Sequence, residues 1–391
     1  MKKIIFVNNN MKVGGVQKSL YNLLWSIDTE REYDVTLLLF SKTGAYADKL
    51  PQGVKVIECT GPYKYLGKSQ GEYGKGKPDY LVRGLLAAMS KIFGRYSALR
   101  LMSLFQPSLK GRYDYAISFL HNGRRKAFYG GTQDFVLRHI NAGKKIAFLH
   151  GDYKNCGADH KENNRMMSRF DKIAACSEGC KAAFDAALPN LRSKSVAVRN
   201  FHRIDEIRRL ADEAPVTYDD FFVNVVLVAR LSREKGIDRG IKAVAYAKEN
   251  GARVRLHIVG DGSMLEDLKT LVREMGVEEN VFFYGEQKNP YRYVRNADLM
   301  LLTSYHEAAP MVIDEARLLA VPALTTRTTS SVEMVEDEKC GWVCENTQES
   351  LNEAFLKHTG DAEVLREFKK TLGEKAKSNN LAEAQLFSLI S

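Results

Sequence analysis

The chain of 391 residues is too long for one ordinary hydrophobic core, so we expect two domains of common size. Its hydrophobic content of 45% and charged content of 27% are those of a globular protein, and no apolar run approaches the ~20 residues of a membrane span. The net charge of +10 is uneven, because residues 42–145 contain 19 Lys and Arg but only 6 Asp and Glu. This part of the chain is expected to face an anionic partner.

The start of the chain and its cysteines predict a cytoplasmic protein. The first apolar run, Ile4–Val7, ends at a run of asparagines and is too short for a secretory signal peptide. The six cysteines are then expected to be reduced thiols. Two C-x3-C pairs, Cys176/Cys180 and Cys340/Cys344, offer four thiolates, but they lack the usual zinc-knuckle spacing, and we expect no metal.

The first half of the chain alternates short apolar strands with helices. Lys3–Val7 is predicted to be the first strand, and Gly14-Gly15 precedes an amphipathic helix, as at the start of a nucleotide-binding βα unit. The further strands predicted in this half are Val35–Phe40, Val54–Ile57, Tyr115–Phe119, Lys145–Leu149, Lys172–Ser177 and Val196–Asn200. The glycine spacing is not G-x-G-x-x-G, so the fingerprint of a dinucleotide-binding domain is absent.

Two neighbouring segments of the basic region differ in pattern. Residues 61–79 are rich in Gly, Lys and Tyr without periodicity and are predicted to form a loop. Residues 80–105 are predicted to form one amphipathic helix, with Arg83, Lys91 and Arg95 opposite its apolar side. The apolar side comprises Leu81, Leu85, Met89, Ile92, Phe93, Tyr96 and Leu99. The basic face fits an anionic membrane surface or a lipid-linked acceptor, and it fits an ordinary solvated helix equally well.

Two histidines, His121 and His150, follow predicted strands. Carboxyl ends of parallel strands line the crevice of an open α/β sheet, so both are placed for a site. A lone histidine is more often structural than catalytic.

After a charged helix at Asp205–Glu213 and a linker at Ala214-Pro215, the strand–helix alternation resumes. The strands predicted here are Val225–Ala229, Arg255–Val259, Val281–Gly285 and Leu299–Thr303, and residues 347–391 are predicted to be helical. The loop after the first of these strands carries Arg230 and Lys235, two cations suited to phosphate oxygens. The turn at Gly260–Gly262 is, by itself, too weak a signal for a dehydrogenase.

The strand Leu299–Thr303 leads into a polar turn and a helix. Pro310 is expected at the first helical position, which leaves the N–H groups of Met311 and Val312 free to bind an anion such as phosphate. Glu307 and Glu315 flank that site. Carboxylates beside an anion need other partners, and the hydroxyls of a ribose and a sugar joined through a diphosphate would supply them.

Glu307, seven further residues and Glu315, together with the Gly14-Gly15 turn and the Arg230-x4-Lys235 loop, are similar to the E-x7-E pattern of retaining glycosyltransferases of family 4. The resemblance implies the GT-B fold, an α/β architecture of two Rossmann-like domains whose parallel sheets face each other across a cleft. The acceptor-binding domain would span residues 1–205, with a last helix at 376–391 packing back on it. The donor-binding domain would span residues 216–375.

The resemblance also implies roles for individual residues. Contacts to the donor phosphates are implied for Gly15, Arg230, Lys235, Met311 and Val312. Contacts to the donor sugar are implied for His150, Glu307, Ala309 and Pro310. Glu315 would bind the ribose and Gln287 the base. His121 is a candidate acceptor contact from its position at a strand end alone. Ala309 departs from the family pattern, because many relatives carry a bulky apolar residue there.

The implied activity is that of a retaining hexosyltransferase that uses a nucleotide-diphosphate sugar, UDP-linked, and acts in cell-surface polysaccharide or glycolipid synthesis. The acceptor would be a glycan or a lipid-linked molecule, and the protein would be cytoplasmic or peripheral on the inner face of the membrane. We expect no cofactor and no metal, because no D-x-D motif lies near the site. Arg230, Lys235 and the helix start, with His150 and Glu307 beside the sugar, would then carry catalysis.

Two other classes of protein remain open at this point. An NAD-type oxidoreductase is disfavoured because no G-x-G-x-x-G follows the first strand. A basic nucleic-acid-binding protein would need aromatic side chains interleaved with its cations, and Tyr63, Tyr65 and Tyr73 are the candidates for that role.

Overall fold

The computed structural model describes residues 1–27, 32–373 and 378–390, and the chain divides into two units. The first unit, called the N unit here, is Met1–His202 with Asn379–Ser391, and the second, the C unit, is Arg203–Ser378. The division therefore falls before the predicted helix at Asp205–Glu213. Of the segment 376–391, residues 376, 377 and 391 lie outside the described residues.

The N unit is built on a parallel sheet of seven strands. Its strands are β1 (Lys2–Asn8), β2 (Tyr33–Leu39), β3 (Val54–Glu58), β4 (Tyr113–Ser118), β5 (Ala142–Leu149), β6 (Lys172–Ala175) and β7 (Ser195–Ala197). Its helices up to His202 are α1 (Gly15–Ser26), α2 (Pro78–Phe93), α3 (Arg95–Phe105), α4 (Thr132–His139), α5 (Lys161–Met167) and α6 (Glu178–Ala187). The strand order is β3-β2-β1-β4-β5-β6-β7.

The C unit repeats this architecture with a parallel sheet of six strands. Its strands are β8 (Val223–Val228), β9 (Val254–Val259), β10 (Val281–Phe283), β11 (Leu299–Leu302), β12 (Ala323–Thr326) and β13 (Gly341–Cys344). Its helices are α7 (Ile204–Asp212), α8 (Ile237–Glu249), α9 (Leu265–Glu274), α10 (Tyr291–Val294), α11 (Met311–Leu318), α12 (Gln348–Thr359) and α13 (Ala362–Gly373). The strand order is β10-β9-β8-β11-β12-β13.

Both sheets are covered on their two faces. In β1, Ile4 and Phe6 pack into one apolar cluster and Ile5 and Val7 into another, because successive side chains of a strand point to opposite faces. Helices cover both faces of the central strands, whose buried parts are therefore near-continuous apolar runs in the sequence. The predicted α/β class and its parallel sheets are confirmed.

The last helix, α14 (Asn380–Ile390), belongs to the N unit. Leu386 and Ile390 join an apolar cluster of that unit, and Phe387 stacks on Tyr33 with ring centroids 6.2 Å apart. The Lys2 ammonium donates to the Ile390 carbonyl oxygen at 2.9 Å. This helix therefore closes one side of the N-unit sheet.

The basic region differs from the prediction in three ways. Residues 61–79 contain two short 3-10 helices, Pro62–Leu66 and Gln70–Tyr73, and are not an open loop. The predicted single helix breaks into α2 and α3 at Gly94, whose φ of +87° lies in the region that favours glycine. Much of the predicted apolar side is exposed, whereas Arg95, on the opposite side of the predicted helix, is buried at the start of α3.

The point at which the strand order of a sheet changes direction locates its ligand-binding crevice. The strand order changes direction between β1 and β4 in the N unit and between β8 and β11 in the C unit. Ligands of open α/β sheets bind outside the carboxyl ends of the strands at such points. Among the residues that the structure describes, no helix is both long enough and apolar enough to cross a membrane.

Candidate active site

Two loops meet at the reversal point of the C-unit sheet, one after β8 and one after β11. The Thr303 hydroxyl donates to the carbonyl oxygens of Lys235 at 3.1 Å and Gly236 at 2.7 Å, and the Tyr305 N–H donates to the Glu234 carbonyl oxygen at 3.0 Å. Gly236 has a φ of +58°, and a Cβ there would lie 2.4 Å from the Thr303 oxygen. Glycine is therefore required for this close approach.

These loops bring Lys235 and Glu307 together, although 71 residues separate them in the chain. The Lys235 ammonium lies 2.5 Å from Glu307 Oε1, and the Ser304 hydroxyl donates to the same oxygen at 2.8 Å. The side chains of Lys235 and Glu307 are only 27% and 11% exposed. Oε2 of Glu307 accepts no hydrogen bond from the described residues, which leaves it open to a ligand hydroxyl.

Arg230 follows the end of β8 on the same loop and is exposed. Its guanidinium forms no ion pair with another described residue, so it is available to an anion. Although burial alone would raise it, the pKa of Glu234 lies below its ordinary value, and the charges of Arg230 and Lys235 contribute to lowering it. The loop after β8 is therefore a cationic element with one internal counter-charge.

The helix α11 begins at Met311, one residue later than predicted. Pro310 has extended backbone with ψ of 114° and occupies the capping position, and its carbonyl oxygen accepts from the Ile313 N–H at 3.2 Å. The N–H groups of Met311 and Val312 lie in the first turn, where the helix itself supplies no acceptor. The helix itself therefore does not satisfy these two N–H groups, and the anion site stays a prediction.

The second carboxylate of the pattern, Glu315, is only 4% exposed. Glu307 is also largely buried, so neither is an ordinary surface glutamate. Ala309 is half-buried at the edge of an apolar cluster. Gln287 lies in the loop after β10, where its side-chain amide donates to the Tyr284 carbonyl oxygen at 2.6 Å. The predicted contacts of these residues with ribose, sugar and base stay predictions.

A residue that the sequence analysis missed holds the Glu307 loop in place. Arg239 is 2% exposed, and its guanidinium donates to the Thr303 carbonyl oxygen at 3.3 Å and to Asn346 Oδ1 at 2.6 Å. It also lies 4.8 Å over the Tyr305 ring, and the Asn346 amide donates to the Tyr305 carbonyl oxygen at 3.1 Å. The available signal was a cation within the mostly apolar helix α8.

The glycines after β9 have an internal explanation. A Cβ on Gly260 would lie 1.9 Å from the Ala229 carbonyl oxygen, and one on Gly262 would lie 2.3 Å from the Leu231 carbonyl oxygen. Both glycines therefore let this turn pack against the loop after β8. They give no support to a dehydrogenase.

The glycines after β1 behave in the opposite way. The helix α1 begins at Gly15, and a Cβ on Gly15 would meet nothing within 4 Å. A Cβ on Gly14 would meet only the flexible Gln17 side chain, at 2.7 Å. Packing inside the N unit does not require these glycines, so the space above the turn is open to a ligand.

The two histidines of the N unit lie side by side at the ends of β4 and β5. The backbone N–H of His150 donates to His121 Nδ1 at 3.3 Å. The His150 ring lies 4.6 Å from that of Phe119 and stacks on that of Phe148 at 5.8 Å. Burial lowers the pKa of His150 to about 3 and that of His121 to about 4. Both imidazoles are therefore neutral at pH 7 and suited to hydrogen bonding rather than to charge stabilisation.

The cysteine pairs that were considered for zinc fall in different units. Cys176 Sγ and Cys180 Sγ are 3.9 Å apart in the N unit. Within the described residues, no group of three or more His, Cys, Asp and Glu side chains is placed to hold a metal ion.

Comparisons with known proteins match the region of the chain that contains these loops. A family model described as "Glycosyl transferases group 1" matches residues 220–378, which contain both loops and α11. The lipopolysaccharide 1,6-galactosyltransferase of Salmonella typhimurium is 38% identical over 185 residues, covering 43% of this chain and 46% of that protein. N-acetyl-alpha-D-glucosaminyl L-malate synthase of Bacillus anthracis is 34% identical over 214 residues, covering 52% and 54%. The chain thus matches about half the length of each of these relatives.

The likeness to solved structures extends over the whole chain. HepE from Anabaena, solved in complex with UDP and glucose, matches with a TM-score of 0.65 over 100% of this chain and 99% of that one, at 17% identity. At this identity the match establishes the fold. Residues 220–378 are thus similar to the glycosyl transferases of group 1, and the two units have the GT-B fold.

Proposed function

We propose that the chain is a glycosyltransferase that moves a hexosyl group from a UDP-linked sugar to a glycan or lipid-linked acceptor in cell-surface polysaccharide synthesis. The observation that carries the proposal is the pairing of Lys235 with Glu307 at the reversal point of the C-unit sheet, beside the start of α11. Cations and free N–H groups suit a diphosphate, and an open carboxylate oxygen suits a sugar hydroxyl.

In this proposal the chain stabilises the leaving diphosphate itself, without a metal ion. Negative charge grows on the diphosphate as the bond to the sugar breaks, and donors already in place stabilise it at little reorganisation cost. Arg230 has no ion-pair partner to give up among the described residues. The Lys235 ammonium has three donors, so it can contact a phosphate while it keeps Glu307.

Glu307 would bind the sugar through Oε2, since Oε1 already accepts from Lys235 and Ser304. Glu315, on the same helix as the anion site, would bind the ribose. His150 is neutral and would exchange hydrogen bonds with sugar hydroxyls. Retention of the anomeric configuration follows from the resemblance to family 4 and is part of the proposal.

The names of relatives support the choice of donor. One relative is named a 1,6-galactosyltransferase, another an N-acetyl-alpha-D-glucosaminyl L-malate synthase, and the solved HepE complex contains UDP and glucose. The nucleic-acid alternative loses support because Tyr63 and Tyr65 are buried and cannot stack on bases. The Tyr63 hydroxyl is instead hydrogen-bonded to Asp134.

The test is a panel of UDP-, GDP- and ADP-linked hexoses, scored for nucleotide release with and without extracts that contain candidate acceptors. We expect release from a UDP-hexose, and NMR of the product should show the anomeric configuration of the donor. Arg230→Ala serves as the site variant, and Arg273→Ala, a change on the surface of α9 in the same unit, serves as the matched control. Release that is equal in both variants, or an inverted product, would contradict the proposal.

A further inference from the structure

Exposed apolar side chains are concentrated on α2 and α3 of the N unit. On α2, Leu81, Leu85, Ala88 and Ile92 follow the spacing of a single helix face and are all exposed, with Leu85 at 72%. At the end of this helix Phe93 is also 72% exposed. A water-soluble helix normally turns such a face towards its core.

The neighbouring helix α3 carries a second apolar stripe. Leu101, Leu104 and Phe105 share one face and are exposed, Leu104 at 79% and Phe105 at 71%. The opposite side of α3 provides the packing, because Ala98, Leu99 and Met102 are buried. The core of the N unit is therefore complete without the exposed stripes of either helix.

The charge around these stripes is of one sign. From Tyr80 to Arg112 the sequence contains no Asp or Glu. The exposed cations of this segment are Lys91, Arg100, Lys110 and Arg112. None of the four forms an ion pair with another described residue.

The nearest acidic residues before this segment are already neutralised. The Asp79 carboxylate lies 3.2 Å from the Lys64 ammonium and accepts from the Tyr65 hydroxyl at 2.7 Å, and the Glu72 carboxylate lies 2.5 Å from the Lys12 ammonium. Residues 80–112 therefore expose apolar side chains and unpaired cations and contain no carboxylate. Such a surface complements a partner with an anionic outer layer over an apolar interior.

We propose that α2 and α3 form a membrane-docking surface that lies in the interface of an anionic bilayer. The apolar stripes would enter the boundary between headgroups and acyl chains, and the four cations would pair with lipid phosphates. The helices have 16 and 11 residues, which suits a position in the plane of the interface, since a span needs about 20.

A second copy of the chain is a poorer occupant. Self-association through this surface would bring the unpaired cations of two copies together without a carboxylate from the segment to offset them. The proposal does not depend on the transferase activity, because neither helix carries a residue assigned to the donor.

The first experiment is flotation of the purified protein with vesicles of phosphatidylglycerol and phosphatidylcholine, and with phosphatidylcholine alone. We expect binding to the anionic vesicles that salt weakens but does not abolish, since apolar insertion is not screened. Leu85→Ser should lower the partition coefficient about tenfold, and Lys91→Gln or Arg100→Gln about fivefold each. Val364→Ser, at an exposed apolar position on α13, is the matched control and should bind as the wild type does.

The second experiment measures insertion directly. Leu85→Trp should be quenched by brominated acyl chains beyond the level that Trp25 and Trp342 give in the wild type. Absence of that extra quenching, or equal binding to neutral and anionic vesicles, would overturn the proposal. A concentration-dependent dimer in light scattering that Leu85→Ser abolishes would assign the surface to a second copy and would also overturn it. Nucleotide release assayed in the same variants keeps these outcomes separate from any failure of the proposed function.

Discussion

Removing the charge of Lys235 should affect stability and turnover through two different routes that a double variant can separate. Lys235→Met keeps most of the side-chain volume but leaves the Glu307 carboxylate, 11% exposed, with the Ser304 hydroxyl as its remaining partner. At 2.5 Å and an effective dielectric constant near 20, the gross attraction in the pair is roughly 7 kcal/mol. Desolvation offsets most of it, since both side chains are largely removed from water.

The net loss in free energy of unfolding when the Lys235–Glu307 ion pair is broken lies between the values for exposed and for buried ion pairs. Exposed pairs contribute up to about 1 kcal/mol, and breaking a fully buried pair costs roughly 3–5 kcal/mol. The 27% exposure of Lys235 places this pair between them, so we expect a loss of about 1–2 kcal/mol. For a unit of this size that corresponds to a Tm lower by roughly 2–8 °C. Turnover should fall about a hundredfold, the usual cost of one donor to a developing anion.

The double variant Lys235→Met/Glu307→Gln removes both charges and should recover most of the lost stability. It should not recover turnover, because no cation has been returned to the diphosphate. Thermal unfolding by circular dichroism and nucleotide release at saturating donor measure the two effects. Recovery of turnover in the double variant would show that Lys235 acts only by holding Glu307, and that outcome would refute the catalytic role.

Three further outcomes are expected. Calorimetry with Glu315→Ala should show weaker binding of both UDP and the intact donor, whereas Glu307→Ala should weaken the donor and leave free UDP nearly unchanged; identical losses would contradict the two assignments. Arg230→Ala should lower kcat more than donor affinity. EDTA should leave the wild-type rate unchanged, and a rate that is lost in EDTA and restored by manganese would disprove the metal-free route. Because burial lowers the pKa of His150 to about 3 and that of His121 to about 4, their contribution to stability is complete above about pH 6.5 and is lost as the pH falls towards those values. His150→Asn should therefore lose less stability than the wild type between pH 6.5 and 4.5, and imidazole NMR signals of the two residues that titrate near pH 6.5 would disprove the lowered values.

Much of the fold could be predicted from the sequence because buried parallel strands are short apolar runs. The predicted strands are confirmed, with small differences at their ends, where assignments are least certain. The strands β12 and β13 were missed. Strand β12 ends in two threonines and β13 begins with a glycine, so neither forms the continuous aliphatic run by which β11 is recognised.

The surroundings of the apolar face of α2 could not be predicted, for a physical reason. Sequence analysis assigns an apolar helix face to the core because burial is the usual way to remove it from water. In this structure Leu86 and the buried side of α3 fill that role, and the more regular stripe of Leu81, Leu85 and Ile92 faces outwards. Periodicity identifies an amphipathic face but does not identify what covers it.

The candidate site shows the same division between local pattern and long-range arrangement. The sequence places Arg230, Lys235 and Glu307 each at the carboxyl end of a strand, but it does not give the order of the strands in the sheet. Lys235 and Glu307 are paired because β8 and β11 are neighbours at the reversal of the order β10-β9-β8-β11-β12-β13. Had β11 paired with β10 instead, the same two residues would lie at opposite sides of the sheet, too far apart for an ion pair. Only the resemblance to family 4 implied that these residues lie at one site. Backbone hydrogen bonds outside the site fix the sheet, and the sheet holds the two charges in contact before any ligand binds.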